Sequence, residues 1–311
     1  MKVYKNIEDF RPVPGAVVTI GTFDGVHTGH HAILFRVKQL AKSINGNSVV
    51  ITFNPHPQQV LHPDEKNIFI LNTVEEKIKQ IEKNGIDNLI IIPFTTEFAS
   101  TSYLDFIKNI LIDKLKVSVL VVGYDHHFGK DREGHYQHLQ EYGSKYNFKV
   151  EEISVQKVED AAVSSTKIRK ALMAGDIETA NKYLGYYYSI NGKVVKGDGI
   201  GRTLGFPTAN ILPDDSSKLI PADGIYAALA EYEGKTYKGM LYIGVRSTLN
   251  ENKRVIEINI FNFDKYIYSD FLTVMCIEKI RDEIKFPGLS ELKEQLMMDR
   301  MKAENILSKI L

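Results

Sequence analysis

The sequence predicts two modules of different class. The first is an α/β module on a mainly parallel sheet, and the second is a small all-β module, barrel or sandwich, ending in a helix. Three observations carry this. Apolar strands alternate with helical patterns up to about residue 155, short β-rich segments follow one another beyond Leu184, and 311 residues are long for one core.

The elements follow in order. Residues 16–20, Ala-Val-Val-Thr-Ile, form a β-branched run bounded by Pro14-Gly15 and Gly21, which reads as a buried strand. His31, Ile33, Leu34, Val37, Leu40 and Ala41 then recur at helical spacing. Strands at 49–53, 89–93 and 117–123 alternate with helical patterns at 75–84 and 103–111, the βα rhythm of a parallel sheet covered on both faces. Such sheets bind ligands outside the carboxyl ends of their strands. Three polar turns fall there: residues 21–30, Asn54-Pro55-His56-Pro57, and residues 123–129. Residues 164–184 read as helical with a break at Gly175-Asp176, and Gly185 marks the boundary, giving modules 1–184 and 185–311. Strands at 188–195, 225–232, 236–243, 254–261 and 271–280 follow, separated by turns such as Glu233-Gly234-Lys235. An amphipathic segment, 289–311, is expected to pack as a helix on that β module.

Composition narrows the function. The chain has 39 basic and 39 acidic side chains, so no overall field favours nucleic acid or an anionic membrane, and a polyphosphate ligand must be held by local groups. No stretch approaches the roughly 20 apolar residues of a membrane span, and the N-terminal residues lack a secretory hydrophobic region. A cytoplasmic enzyme of small molecules is expected. Cys276 lies in an apolar run and reads as a buried structural thiol.

The turn Gly21-Thr22-Phe23-Asp24-Gly25-Val26-His27-Thr28-Gly29-His30 carries the most chemistry. It places an HxGH pair at a helix N-terminus, where free N–H groups and the dipole favour anions. His27 and His30 stand three residues apart, so both can face one phosphate ligand, and Gly29 lets a nucleotide approach the backbone. A zinc site is the competing reading. It would need about four nitrogen or sulfur ligands if structural, and the chain has one cysteine.

Four further motifs complete a resemblance. They are Thr52-Phe53-Asn54-Pro55-His56-Pro57, the 123–129 turn, Ser164-Ser165-Thr166-Lys167-Ile168-Arg169, and Gly201-Arg202-Thr203-Leu204-Gly205-Phe206-Pro207-Thr208-Ala209-Asn210. With the HxGH turn, and across nearly the whole chain, the sequence resembles the prokaryotic bifunctional riboflavin kinase/FMN adenylyltransferases, the FAD synthetases. The resemblance implies a nucleotidyltransferase-like, Rossmann-like first domain that makes FAD from FMN and ATP. It also implies a riboflavin kinase-like β-barrel that makes FMN from riboflavin and ATP, with magnesium as cofactor.

Roles follow from the resemblance and from residue chemistry. His27 and His30 are the candidate donors to the transferring phosphoryl group, with Gly21, Phe23 and Gly29 lining the nucleotide. Ser164, Ser165 and Thr166 open a predicted helix and suit the outer phosphates, with Arg169 one turn on, although such residues are also ordinary helix caps. Asn54 and Asp125 are candidates for orienting flavin or nucleotide, and Lys130 and Arg132 for reaching phosphate; plain turns and solvated charges use the same residues. In the second module Gly201 and Arg202 belong to ATP, Thr208 and Asn210 offer neutral oxygens to magnesium, and Arg281 is assigned to flavin. Glu257 alternates with Ile256 and Ile258, so it faces a site or water; the resemblance makes it the base. The glycines and lysines of 192–199 resemble a flap over the nucleotide. Ser247, Asn259 and Ser269 depart from the residues common in the family. A single-activity adenylyltransferase with a flavin-binding barrel, and a flavin-sensing or RNA-binding module, are the rival readings.

Overall fold

Alternation within the β-branched runs decides the architecture of the first unit. In the computed structural model, which describes residues 1–65, 68–123, 129–130, 133, 135–153, 163–197, 199–247 and 252–311, that unit spans Met1–Ser164. Its strands are β1 (Lys2–Tyr4), β2 (Ala16–Ile20), β3 (Asn47–Asn54), β4 (Asn88–Pro93), β5 (Val117–Gly123) and β6 (Lys149–Ile153), ordered β1-β4-β3-β2-β5-β6 with every pairing parallel. Helices α1 (Thr28–Ser43), α2 (Pro57–Leu61), α3 (Val74–Lys83), α4 (Thr96–Ala99), α5 (Tyr103–Asp105, continuing as a π-helical Phe106–Lys114) and α6 (Tyr136–Tyr146) connect them.

Period-two geometry sends neighbouring residues of one strand to opposite layers. Val17, Val50, Val119 and Val121 pack with Leu34 and Val37 of α1 and Ile81 of α3. Val18, Ile20, Val49, Ile51 and Leu120 pack on the other face with Phe106, Ile107, Leu111 and Leu139. With both faces covered, polar ligands are left the strand ends. β2 lies where the strand order reverses, between β3 and β5, so the turn after Ile20 opens at the switch point.

The second unit, Ser165–Leu311, is a closed six-stranded antiparallel barrel, not a sandwich. It begins with α7 (Ser165–Ala174) and α8 (Ile177–Leu184), joined through Gly175 at φ +80°. The barrel strands are β7 (Ser189–Val195), β8 (Ala209–Pro213), β9 (Gly224–Tyr232), β10 (Lys235–Ser247), β11 (Asn252–Ile260) and β12 (Phe271–Arg281), ordered β10-β11-β8-β7-β12-β9. A short turn of helix, α9 (Ile200–Thr203), precedes β8, and the last helix, α10 (Leu289–Leu307), ends before residue 311. Ala303 and Leu307 of α10 are fully buried with Ile225, Ala227, Met240 and Ile277.

Helices α7 and α8 therefore belong to the barrel's unit, whereas the sequence reading divided the chain after them, at Gly185. Hydrogen bonds tie them there. Asn181 Nδ2 donates to the Cys276 carbonyl at 2.9 Å, Tyr188 N–H donates to Asn181 Oδ1 at 2.7 Å, and Ala222 N–H donates to the Leu172 carbonyl at 2.9 Å. Cys276 is fully buried, and burial pushes its thiol up to about 12, as suits a structural cysteine.

Candidate active sites

The first site is built on the turn between β2 and α1. His27 is the N-cap of α1 and makes no side-chain capping bond, and His31 N–H donates to the His27 carbonyl at 3.0 Å, so His30 sits in the first turn. Phe23 at φ +46° and Val26 at φ +35° are non-glycine residues in the left-handed region, with Gly25 between them at +86°. Such a conformation costs energy and persists only when the surroundings impose it. They do. Val26 N–H donates to the Phe23 carbonyl at 3.2 Å, Leu71 and Asn72 N–H donate to Asp24 Oδ1 at 2.9 and 3.3 Å, and Thr52 Oγ1 donates to the Thr22 carbonyl at 2.9 Å.

The effect is to stack the two imidazoles. Their ring centroids lie 3.7 Å apart at 16°, and Phe23 meets His30 edge-on at 5.0 Å. Both Nδ1 atoms are buried with no hydrogen-bond partner among the described residues. Burial holds His27 down to about 4 against the partial attraction of Asp24, and holds His30 well below its ordinary value with help from His27, His31 and Lys77. The pair is neutral at pH 7, so each ring presents one N–H donor and one acceptor. Gly21 underlies the Phe23 ring, where an added Cβ would come within 3.2 Å of it, and Gly29 is buried in the first turn.

The other residues that the sequence assigns to adenylyl transfer are placed as follows, those on α7 in the second unit. Asn54 ends β3, exposed, and its carbonyl accepts from Phe94 N–H at 3.1 Å. Ser165 and Thr166 open α7 after Ser164, and Arg169 lies one turn on and half-buried. Lys130 is exposed, and its N–H donates to the Thr101 carbonyl at 2.9 Å. Asp125 and Arg132 lie outside the described residues.

The second site is one cross-strand row of the barrel. Register aligns Ile225, Tyr242, Glu257, Asn210 and Val195 across β9, β10, β11, β8 and β7, and directly opposed side chains share a face. Glu257 is only 3% exposed, so it does not face water. Its Oε2 accepts from Thr208 Oγ1 at 3.1 Å, which brings Thr208, Asn210 and Glu257 together. Asn259, two residues along the same face, donates from Nδ2 to the Pro207 carbonyl at 2.6 Å and fixes the start of β8. After Pro207 and Thr208 the chain runs on as a strand from Ala209.

The glycine-rich segment before β8 depends on close backbone approach. Phe206 N–H donates to the Gly201 carbonyl at 2.8 Å, and a Cβ on Gly201 would lie 2.3 Å from the Phe206 carbonyl oxygen. A pocket of about 90 Å³ opens beside it, lined by Arg202, Pro207, Thr208, Ile258, Lys265 and Tyr268 among others. Arg281 lies at the end of β12. Its Nε and Nη2 bind the fully buried Asp299 of α10 at 3.0 and 2.7 Å, and Nη1 donates to the Asp282 carbonyl at 2.9 Å. Among the described residues no group of three His, Cys, Asp or Glu is placed to hold a metal.

A nucleotide-type α/β sheet with paired histidines at its switch point, followed by a barrel that brings Thr208, Asn210 and Glu257 together, defines a two-module transferase of nucleotide and phosphoryl groups. Comparison with known proteins names the family. The FAD synthetase family model matches residues 11–167 and the riboflavin kinase model residues 184–307, leaving most of α7 and α8 between the two. The chain is 37% identical over 300 residues to the bifunctional riboflavin kinase/FMN adenylyltransferase of Bacillus subtilis (95% of this chain, 93% of that one). It is 36% identical over 295 residues to that of Listeria monocytogenes (94% and 93%). The chain belongs to the bifunctional riboflavin kinase/FMN adenylyltransferase family, and it phosphorylates riboflavin and adenylylates FMN. A crystal structure described as a macrolide-efflux protein from Streptococcus pneumoniae has the same fold, with TM-score 0.85 and 31% identity over 97% of this chain and 98% of that one. Among the described residues no helix is long and apolar enough to cross a membrane.

Proposed function

We propose that the HxGH turn performs the adenylyl transfer and that Thr208, Asn210 and Glu257 perform the phosphoryl transfer. The observation that carries the reading is the buried Glu257 carboxylate, hydrogen-bonded to Thr208 and opposed to Asn210 in register. In the barrel the terminal ribityl hydroxyl of riboflavin attacks the γ-phosphorus of ATP. Its oxygen–phosphorus bond forms as the bond to the β,γ-bridging oxygen breaks, ADP leaves, and Glu257 accepts the hydroxyl proton. Arg202, lining the pocket, suits the phosphate charge, whereas Lys265 there is paired with Glu233 at 2.9 Å.

Thr208 and Asn210 would hold magnesium. Their neutral oxygens beside a carboxylate suit a hard divalent cation, and a Cβ at Gly197 would stand 2.2 Å from Asn210 Nδ2, so that glycine leaves the Asn210 side chain its place. When bound, the ion neutralises charge on the triphosphate. In the first module a phosphate oxygen of FMN attacks the α-phosphorus of ATP, and pyrophosphate leaves without a covalent enzyme intermediate. Neutral His27 and His30 donate N–H to the oxygens on which charge builds, beside the N-terminus of α1. By the family resemblance, Ser164, Ser165, Thr166 and Arg169 serve the outer phosphates, and Asn54, Asp125 and Arg281 the flavin. A lone, buried cysteine suits the cytoplasm.

Chromatography of the products of riboflavin, ATP and magnesium tests both assignments. His27→Ala or His30→Ala should cut FAD formation by roughly a hundredfold or more while FMN still forms. Glu257→Gln should cut FMN formation by roughly a hundredfold while supplied FMN still becomes FAD. Near-normal turnover in either variant removes its residue from the mechanism.

A further inference from the structure

Lys77 is buried beneath the phosphate turn, a place lysine occupies only at a cost. It projects from α3, which supplies no other residue to the site. Its Nζ donates to the Thr22 carbonyl at 2.8 Å and to Thr52 Oγ1 at 3.2 Å, while Thr52 Oγ1 itself donates to the same carbonyl at 2.9 Å. The carbonyl so held belongs to the residue immediately before Phe23, where the chain enters the left-handed region that ends in the stacked histidines. The geometry points to Lys77 as a positioning residue of adenylyl transfer: its ammonium pins the Thr22 carbonyl and so fixes the strained Phe23–His27 turn that stacks the two imidazoles. The inference rests on the HxGH assignment above.

A second consequence is electrostatic. The charged and titratable groups facing Nζ are Asp24 in the turn, which attracts it, and His30 on α1, which it repels; β3 presents the neutral Thr52, and Glu76 of its own helix is bonded to Thr73 N–H at 3.0 Å. Burial is the main cause that keeps His30 neutral, and a cation here adds to it, so an incoming triphosphate meets an imidazole with one N–H to donate. Burial lowers the lysine to about 8. Above that pH the ammonium becomes an amine, its bond to the carbonyl is no longer charge-assisted, and the hold on the turn weakens.

The test uses the full chain with FMN, ATP and magnesium, following FAD by chromatography between about pH 6 and about pH 10, a span that brackets lysine titration. Lys77→Met should lower kcat for FAD roughly tenfold to a hundredfold, the cost of a misplaced donor, with FMN formation from riboflavin unchanged. The unaltered chain should lose kcat as pH rises past about 8. Lys77→Arg should keep kcat at neutral pH and lose that alkaline limb, because guanidinium stays charged. Thr52→Val keeps the lysine and the volume but removes one anchor, and should lower kcat less, with KM for ATP little changed; it decides the matter if Lys77→Met fails to fold. Wild-type kcat in both Lys77→Met and Thr52→Val, an unmoved alkaline limb in Lys77→Arg, or no recovery by arginine at neutral pH would each overturn the proposal. Absence of FAD from the unaltered chain would instead count against the adenylyl-transfer reading.

Discussion

His27 and His30 lie face to face at 3.7 Å, a separation that two imidazolium ions would resist, and burial enforces the same neutrality from the other side. The sign of the resulting pH dependence is fixed. Between the ordinary histidine value of about 6.5 and about 4, the unfolded chain takes up a proton that folded His27 refuses, so the stability of the first unit falls as pH drops through that window. Thermal unfolding of the first unit should lose stability there, and His27→Gln should flatten the dependence; a parallel slope in the variant would show that other groups set it. The histidines were legible in the sequence because the HxGH spacing and its glycines are local. Lys77 was not, since nothing near position 77 marks a lysine that tertiary packing carries under a turn whose Thr22 lies 55 residues earlier in the chain. Glu257 was ambiguous for a related reason. Alternation places it opposite Ile256 and Ile258, but only the folded, closed barrel shows that its own face of β11 is buried too.

Among elements, α10 has the weakest sequence claim to its position and one of the firmest attachments. Its outward methionines, Met297, Met298 and Met301, are more than half exposed, and its buried side includes a carboxylate, Asp299. Asp299 receives Arg281 from β12 and Gln295 Nε2 at 2.8 Å, so a salt bridge docks the helix where apolar contact is sparse. Breaking such a pair from one side strands a buried charge. Asp299→Ala or Arg281→Ala should each destabilise the barrel by about 3–5 kcal/mol, whereas Arg281→Met with Asp299→Leu should recover most of that loss. Denaturant unfolding checks the sign, and riboflavin binding by the double variant checks the role assigned to Arg281. Tight binding by a refolded barrel lacking the guanidinium would leave Arg281 a clamp and not a flavin ligand. Strands β1, β6 and β8 escaped the sequence reading for three different reasons. β1 has only three residues, β6 carries Lys149, Glu151 and Glu152, and β8 is entered through Pro207 from a motif that reads as a turn.

At the scale of the whole chain, the boundary that chemistry suggests and the boundary that packing draws do not coincide. The kinase signature and the riboflavin kinase match both lie after residue 183, yet α7 and α8 fold into the barrel's unit. Ile168, Leu172, Ala180 and Leu184 are fully buried, and Asn181 bridges the Cys276 carbonyl on β12 and the Tyr188 N–H that leads into β7. A chain begun at Gly185 would leave those partners to solvent and lose several buried apolar side chains, each worth about 1.5–3 kcal/mol. The sequence could not show this, because the break at Gly175 and the helix end at Gly185, φ +78°, look alike as local punctuation. The expected outcome is that a fragment of residues 165–311 makes FMN from riboflavin, ATP and magnesium and unfolds in one cooperative step. A fragment of residues 185–311 should melt ~10 °C lower or more, or fail to fold. Equal melting of the two fragments would show that α7 and α8 are passengers on the barrel, and would return the boundary to Gly185.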